Sequence, residues 1–204
     1  MAEATKIEPF IEGSLFYLRP VEEEDYVEHY LQWINDQDVT RFLSRGTNPT
    51  SKADIIEAFH NLRKSQTDIE FTIVLKSNDA PIGLTGLHEI NSIYRSGEFR
   101  ILIGDKNQWG KGIGSQILQL ITAYGFETHN LNRVSLGVNA ANVGAAKSYE
   151  KAGFKTEGLL RQAIYRNGKY YDVSLMSLLK DEYLKALKAW PCKKMIIQRF
   201  QNSD

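Results

Sequence analysis

The sequence has little of several features that mark whole classes of protein. Among its 204 residues there is one cysteine, Cys192, so no disulfide can form within the chain and a reducing compartment is expected. No run of about 18 apolar residues occurs, and the opening MAEATKIEPF lacks the basic and apolar segments of a secretion signal. The sequence therefore predicts a cytoplasmic protein with no membrane span and no membrane partner.

An excess of charge of either sign is also missing. Lys plus Arg and Asp plus Glu both number 25, which leaves no overall field to attract a nucleic acid, and none is expected as a partner. Lys193, Lys194 and Arg199 form one basic concentration near the C-terminus, which we expect to be a solvated tail. The four histidines lack the short ligand spacing of a zinc site, so no metal is predicted.

What is present is an alternation of strand and helix patterns without repeats or low-complexity linkers. The length and a hydrophobic content of 42% suit one globular domain. Strand patterns occur in SLFYLRP, EFTIVLK, APIGLTGLHEI, GEFRILIG and RVSLGVN, and a long hairpin turning at Asn167-Gly168 follows. Helix patterns occur in VEEEDYVEHYLQWIND, TSKADIIEAFHNLRK, SQILQLITAYGFETHN and ANVGAAKSYEKAG, and a last helix is expected from Asp181 to Trp190.

A glycine-rich stretch, QWGKGIG, joins a predicted strand to a predicted helix. Gly110, Gly112 and Gly114 stand at every second position. A strand that enters such a turn and then a helix presents free backbone N–H groups and the positive end of the helix dipole, which suits a phosphate. The spacing matches neither the Walker pattern nor the dinucleotide fingerprint. A tight turn with close helix–strand packing is the structural alternative.

Two motifs in this order carry a resemblance to a known family. WGKGIG, from Trp109 to Gly114, is similar to the R/Q-x-x-G-x-G/A motif of the GNAT family of N-acetyltransferases, with Trp at the R/Q position. NVGAAKSYEKAGF, which begins at Asn142, is similar to the family's N-x-x-A-x-x-x-Y-E-K-x-G-F. The resemblance covers about 15–179, and it is strongest to the branch that includes the ribosomal-protein acetyltransferases.

The resemblance implies an α/β (α+β) fold. In the GNAT fold, a mixed, mostly antiparallel, twisted sheet of about seven strands is flanked by helices and splayed near the fourth strand. We expect a single domain over 1–204, with a core of about 15–179 and a C-terminal helix and tail at 180–204. A monomer or a homodimer is expected.

The resemblance also implies acetyl-CoA as co-substrate. Its pyrophosphate would take the N–H groups from about Gly110 to Ser115, and its pantetheine arm would pair with the strand edge at 101–103. Lys111 could instead face solvent, and Asn142 could cap its helix. The expected cofactor-binding residues are Ile101, Leu102, Ile103, Gln108, Trp109, Gly110, Lys111, Gly112, Ile113, Gly114, Ser115, Asn142 and Ala145.

Two residues match positions that carry the chemistry in this family. Glu98 corresponds to a general base that takes the proton of the acceptor amine, directly or through a water, and Tyr149 to the tyrosine that protonates the departing CoA sulfur. The tetrahedral oxyanion would need a backbone N–H in the Ile101 to Ile103 region. Glu98 could instead be a polar residue at an exposed strand end, and Tyr149 a half-buried aromatic.

The acceptor is less clearly indicated. W-x-N-D-x-x-V-T-R-F, which begins at Trp33, resembles members that act on amino sugars as well as members that act on protein N-termini. We expect an N-terminal or sugar-borne amine in preference to an alkyl amine such as spermidine or lysine, because the first two are weaker bases and release their proton more readily. Family resemblance narrowly favours the peptide N-terminus over the amino sugar or another small amine. A catalytically silent acyl-CoA-binding domain and an unrelated phosphate-binding module are the alternatives. The resemblance implies that the acceptor binds against the first two helices, the loop that joins them and the late hairpin. The expected acceptor-lining residues are Trp33, Arg41, His88, Tyr165 and Tyr171.

Overall fold

The computed structural model describes residues 8–201, which form an eight-stranded sheet in the order β1-β2-β3-β4-β5-β6-β8-β7. All neighbouring pairs are antiparallel except β5 with β6. The expected mixed, mostly antiparallel sheet is confirmed, and the two-residue β1 brings the number of strands to eight. The strands are β1 (Ile11–Glu12), β2 (Phe16–Pro20), β3 (Ile69–Leu75), β4 (Pro81–Asn91), β5 (Ser96–Ile103), β6 (Arg133–Asn139), β7 (Lys155–Arg166) and β8 (Lys169–Leu179).

Helices flank the sheet on both faces. A turn of π-helix, Asp25–Tyr30, leads into the first α-helix, and a 3-10 turn, Leu187–Ala189, replaces the end of the last helix that the sequence predicts. Within residues 8–201, no helix is long and apolar enough to cross a membrane. The α-helices are α1 (Leu31–Asn35), α2 (Lys52–Lys64), α3 (Ile113–Glu127), α4 (Val143–Lys151), α5 (Lys180–Ala186) and α6 (Lys193–Ile196).

The two faces of the sheet bury different cores. One core lies against α3 and includes Phe71 and Ile73, which alternate along β3 with residues of the opposite face. On that opposite face, Ile34 and Ile55 from α1 and α2 pack against Leu84 of β4. Because side chains alternate along a strand, polar residues of the second face lie beneath α1 and α2, which is where the family resemblance places the acceptor.

A buried ion pair anchors the first helical segment to the sheet. Arg19 of β2 donates two hydrogen bonds to the Asp25 carboxylate, at 2.6 and 2.7 Å, and the Thr72 hydroxyl of β3 donates a third at 2.7 Å. Partners on both sides satisfy this buried carboxylate, as a charge out of water requires. The start of the segment is therefore fixed relative to β2 and β3.

The sheet opens between β5 and β6. Their parallel pairing covers only Ser96 to Glu98, against Arg133 to Ser135. On its other side, β5 continues to pair with β4 as far as Ile103, and β6 continues to pair with β8 as far as Asn139. Among residues 8–201, no strand therefore covers the second edge of the last five residues of β5, which confirms the predicted splay.

The expectation of a solvated C-terminal tail is wrong for its residues Cys192 and Ile196, whereas Lys194 and Arg199 are exposed as expected. Trp190, Cys192 and Ile196 are 4%, 1% and 0% exposed and belong to the core against α3. The Trp190 indole also donates a hydrogen bond to the Ala152 carbonyl at 3.2 Å. A run of charged residues keeps a segment solvent-exposed only where no apolar residues alternate with the charges. Here the apolar residues pack into the core and bury their part of the segment.

Candidate active site

The glycine-rich turn lies between β5 and α3 and leaves several backbone donors unused. Gly110 and Gly112 have φ of +76° and +79°, in the left-handed region that favours glycine. Gly112 is the N-cap of α3, and no side chain caps the helix. Because the first N–H groups of a helix lack intrahelical acceptors, those of Ile113, Gly114 and Ser115 have none within residues 8–201.

The space outside this turn is open. A Cβ atom added at Gly110 or at Gly112 would meet nothing within 4 Å, whereas one added at Gly114 would lie 3.4 Å from the Ile103 side chain. The structural alternative, close helix–strand packing, therefore describes Gly114. The other two glycines leave an unobstructed approach to unpaired N–H groups at a helix N-terminus, which is the setting in which phosphates bind.

The uncovered edge of β5 begins beside this turn. The Gly104 N–H donates to the Ile82 carbonyl at 2.8 Å and the Arg100 carbonyl accepts from Thr85, so both residues face β4. Since backbone groups alternate along a strand, those of Ile101 and Ile103 face the open side. Trp109 donates its indole N–H to the Ile103 carbonyl at 2.9 Å. An extended amide chain could pair with the groups that are left.

The other residues expected at the cofactor have defined local roles. Lys111 Nζ donates to Gln108 Oε1 at 3.1 Å, and Gln108 Nε2 donates to Asp105 at 3.0 Å, so these side chains form a chain along the turn. Ile113 is 3% exposed within the core, which leaves only its backbone for a ligand. Leu102 is half-buried and alternates with its neighbours toward the opposite face.

Helix α4 is held against the start of α3. The Ser115 and Ser148 hydroxyls are 2.7 Å apart and hydrogen-bonded. Asn142 is the N-cap of α4, where its Oδ1 accepts from the Ala145 N–H at 3.3 Å, and the Ala145 side chain packs on the core. The capping role of Asn142 is thus present in the structure, and its side-chain NH₂ group is still available to a ligand.

Tyr149 projects from α4 toward β5. Its ring lies edge-on to that of Phe99, with centroids 6.5 Å apart, and burial raises the pKa of its hydroxyl to about 12. Within the described part of the chain, that hydroxyl makes no hydrogen bond. A phenol with this pKa is protonated throughout the neutral range, so it can donate a proton to an atom placed beside β5.

Glu98 lies where β5 and β6 diverge, and it faces the side of the sheet that α1 and α2 cover. Its side chain is 31% exposed and accepts a hydrogen bond from Arg100 Nη2 at 2.8 Å. The same nitrogen of Arg100 donates to Glu89 at 2.6 Å. The carboxylate can thus be reached from solvent, and one of its oxygens is bonded to the guanidinium of Arg100.

His88 is the residue opposite Glu98 in the antiparallel ladder. It is 8% exposed, with Nδ1 3.4 Å from Asp68 Oδ1 and Nε2 3.6 Å from Glu70 Oε1. Burial, with a contribution from Arg100, lowers the pKa of the His88 imidazole, which is therefore neutral near pH 7. Its buried Nε2 has no hydrogen-bond partner in the described residues. Burial also raises the pKa of Glu70, which accepts a hydrogen bond from the Tyr26 hydroxyl.

The predicted acceptor residues fall into three places. Trp33 packs on Gly104 at the end of β5, where a Cβ would come within 2.0 Å of the indole, and the Arg41 guanidinium lies 5.2 Å from the centre of the Trp109 ring. His88 lies farther back, beside Glu98. Tyr165 is 59% exposed on the β7–β8 hairpin, where Tyr171 is half-buried. The structure therefore gathers the first three around β5 and puts the two tyrosines on a separate hairpin.

Three residues near the site were not predicted from the sequence. Arg100 is two positions after Glu98, so the period of two along a strand could have revealed it as a neighbour. Glu70 stands in an ordinary strand pattern, and Arg166 precedes the hairpin turn without any special spacing. Their partners are distant in sequence, and no local pattern records such contacts.

Comparison with known proteins identifies the class that this fold and site define. Residues 16–155 match the family model described as the acetyltransferase (GNAT) domain. The chain belongs to this family and is an N-acetyltransferase that uses acetyl-CoA. The match confirms the family resemblance without selecting the branch of ribosomal-protein acetyltransferases.

Individual relatives are similar over most of the chain. A Bacillus licheniformis protein named uncharacterized N-acetyltransferase p20 is 33% identical over 168 residues, 81% of this chain and 93% of that protein. Spermidine N(1)-acetyltransferase of Vibrio cholerae is 35% identical over 136 residues, 67% of this chain and 78% of that enzyme. A crystal structure of the Vibrio cholerae spermidine N-acetyltransferase with CoA and spermine has a TM-score of 0.77 and 29% identity, and covers 84% of this chain and 99% of that one.

The geometry fits acetyl-CoA, which supplies an acetyl thioester when it is bound. The unpaired N–H groups at the start of α3 suit its diphosphate, and the uncovered edge of β5 suits its amide-containing arm. Among residues 8–201, no three His, Cys, Asp or Glu side chains converge as metal ligands would.

Proposed function

We propose that the acceptor is a small aliphatic amine with more than one positive charge, of the spermidine kind. The observation that carries this proposal is the group of carboxylates around His88 and Arg100. Asp68 and Glu70 flank the histidine, and Glu89 and Glu98 both bond the arginine. Because the chain as a whole has no net charge, this concentration of carboxylates is a local feature. It complements a compact polycation better than a peptide end with a single charge.

The similarity to the Vibrio cholerae enzyme supports the same choice. The named substrate of that relative is a polyamine, and its structure was solved with spermine. This similarity and the carboxylates together outweigh the expectation, drawn from amine basicity, that a peptide or sugar amine is preferred to spermidine, and the narrow preference for the peptide that family resemblance suggests. An amino-sugar amine, which has one charge and many hydroxyls, finds no comparable feature among the residues described above.

In the proposed reaction, Glu98 takes the proton of the acceptor ammonium, directly or through a water. The nitrogen then forms a bond to the acetyl carbon as the carbon–sulfur bond breaks, and Tyr149 donates the proton that the sulfur takes up. An alkyl ammonium ionises near pH 10, so the supply of free amine limits the reaction at neutral pH. We propose the residues around the turn, the β5 edge and the start of α4 as those that bind the cofactor.

A comparison of acceptors tests the proposal. We expect kcat/KM for spermidine to exceed that for an N-terminal peptide or a nucleotide-linked amino sugar by about 10-fold or more, and to fall as salt increases. The measurement is CoA release with each acceptor between pH 6 and 10, a range chosen around the ionisation of alkyl amines. A peptide or sugar preference would contradict the polyamine proposal. Acetyl-CoA binding without turnover of any amine would favour the silent domain.

The base is tested by Glu98→Gln, with Glu89→Gln as a matched control. Both changes remove a carboxylate that bonds the same guanidinium nitrogen of Arg100. If Glu98 is the base, its loss should lower kcat/KM most at low pH, where free amine is scarce, by about 10²-fold. Glu89→Gln should change kcat/KM by one constant factor across the pH range, so that its pH profile keeps the shape of the parent's. A Glu98→Gln profile with the shape of the parent's would exclude Glu98 as the base.

A further inference from the structure

Arg166, the last residue of β7, is a buried cation without a carboxylate partner. It is 5% exposed, and no carboxylate lies within ion-pairing distance in the described part of the chain. Its two terminal nitrogens, which carry four N–H groups, reach five acceptors at 2.8 to 3.2 Å, so two of the three acceptors of Nη2 share one N–H. The acceptors are the carbonyls of Leu43, Arg45 and Gly46, the Thr40 hydroxyl and the Gln37 side-chain oxygen.

All five acceptors belong to one segment, residues 36–46, which follows α1 and is called here the 36–46 loop. It contains neither helix nor strand, so its carbonyls have few backbone donors. The Thr40 hydroxyl, which bonds Arg166, also donates to the Asp36 carbonyl at 2.8 Å. The guanidinium therefore supplies the hydrogen bonds that regular structure would otherwise provide, from a hairpin about 120 residues away in sequence.

The 36–46 loop reaches both halves of the site. Near the glycine turn, Arg41 lies over the Trp109 ring, and Lys106 donates to Asp36 at 2.8 Å. Toward the carboxylates, Arg45 Nη1 lies 3.5 Å from the Tyr30 hydroxyl, and its charge acts on both Glu70 and His88. A displacement of this loop would thus move charges at the face where the acceptor is proposed to bind.

We propose that Arg166 is a positioning residue for the acceptor: it fixes the 36–46 loop against the β7–β8 hairpin and so sets acceptor affinity. The inference rests on the proposed function, which places the acceptor beneath α1 and α2. Arginine suits this position because its planar fork presents five donors in a fixed arrangement, whereas a lysine ammonium presents three on a flexible stem. A lysine should therefore restore the position only in part.

The test compares Arg166→Met and Arg166→Lys with Lys169→Met. Lys169 is the exposed residue directly opposite Arg166 in the β7–β8 register, and among residues 8–201 it makes no hydrogen bond or ion pair with the loop. We expect Arg166→Met to raise the KM for spermidine about 10-fold or more with a smaller change in kcat, because misplaced binding groups weaken productive binding. The affinity for acetyl-CoA should change much less than that for spermidine, because at the glycine turn the loop contacts, within residues 8–201, only the side chains of Trp109 and Lys106. The KM of Arg166→Lys for spermidine should lie between those of the parent and Arg166→Met, and the KM of Lys169→Met should match the parent's.

Limited trypsin digestion gives a readout that does not depend on turnover. Release of the 36–46 loop should speed cleavage after Arg41 and Arg45 in Arg166→Met and leave it unchanged in Lys169→Met. An unchanged spermidine KM, unchanged cleavage, or an equal loss of acetyl-CoA and spermidine affinity would each overturn the inference. If the parent does not acetylate spermidine, the proposed function fails, and the cleavage pattern alone decides whether Arg166 holds the loop.

Discussion

Tyr149→Phe is expected to lower kcat by about 10²-fold or more, the effect usual for a group that transfers a proton. The change removes one oxygen and almost no volume, so the packing against Phe99 and the affinity for acetyl-CoA should be retained. Burial raises the pKa of Tyr149 to about 12, so the hydroxyl is protonated at neutral pH and begins to lose its proton only in strongly alkaline solution. Activity should therefore decline only as the pH approaches this pKa and the Tyr149 hydroxyl ionises. That pH lies above the range in which the acceptor amine loses its proton.

Tyr124→Phe is the matched control for this prediction. Tyr124 is 7% exposed in the same core, on α3, and its ring packs against Phe71 rather than against β5 beside the splay. Steady-state kinetics and calorimetric titration with acetyl-CoA should show normal turnover for Tyr124→Phe and low turnover with normal binding for Tyr149→Phe. Normal turnover in both variants would show that the role of Tyr149 is purely structural.

Gly112→Val is expected to weaken acetyl-CoA binding by about 10- to 100-fold. A hydrogen bond to a charged group contributes about 1.5–3 kcal/mol, and each 1.4 kcal/mol is about tenfold in affinity. The added side chain would extend into the open space outside the turn, across the approach to the free N–H groups of α3. The positive φ also strains any residue with a Cβ, at a cost to folding of about 1–2 kcal/mol.

Gly168→Val is the control that separates the effect of backbone strain from obstruction of the acetyl-CoA site. Gly168 has φ of +77°, and a Cβ there would also meet nothing within 4 Å, but it lies in the β7–β8 turn. Urea unfolding should show similar losses of stability for the two variants. Isothermal titration should show weaker acetyl-CoA binding for Gly112→Val alone. Unchanged acetyl-CoA affinity in the folded Gly112→Val protein would show that the turn is not part of the cofactor site.

The sequence predicts the cofactor half of the site better than the acceptor half. The turn and the start of α4 are continuous segments, so the spacing of Gly110, Gly112 and Asn142 already indicates which groups face a ligand. The proposed recognition of the acceptor depends on Glu70, Arg100 and Arg166, which come from different strands. Strand pairing alone brings Glu70 and Arg100 to one face, and a hydrogen-bond network across about 120 residues gives Arg166 its role.

The sequence by itself determined the alternation of strands and helices and the turn at Asn167-Gly168, where both residues have positive φ. These features depend on side-chain periodicity and on backbone preferences that act over a few residues. Only the tertiary structure decided how far β5 pairs with β6, where the carboxylates meet, and that Ile196 belongs to the core. Those outcomes follow from burial and from hydrogen bonds between distant segments, whose free energy depends on the whole fold rather than on any one stretch of residues.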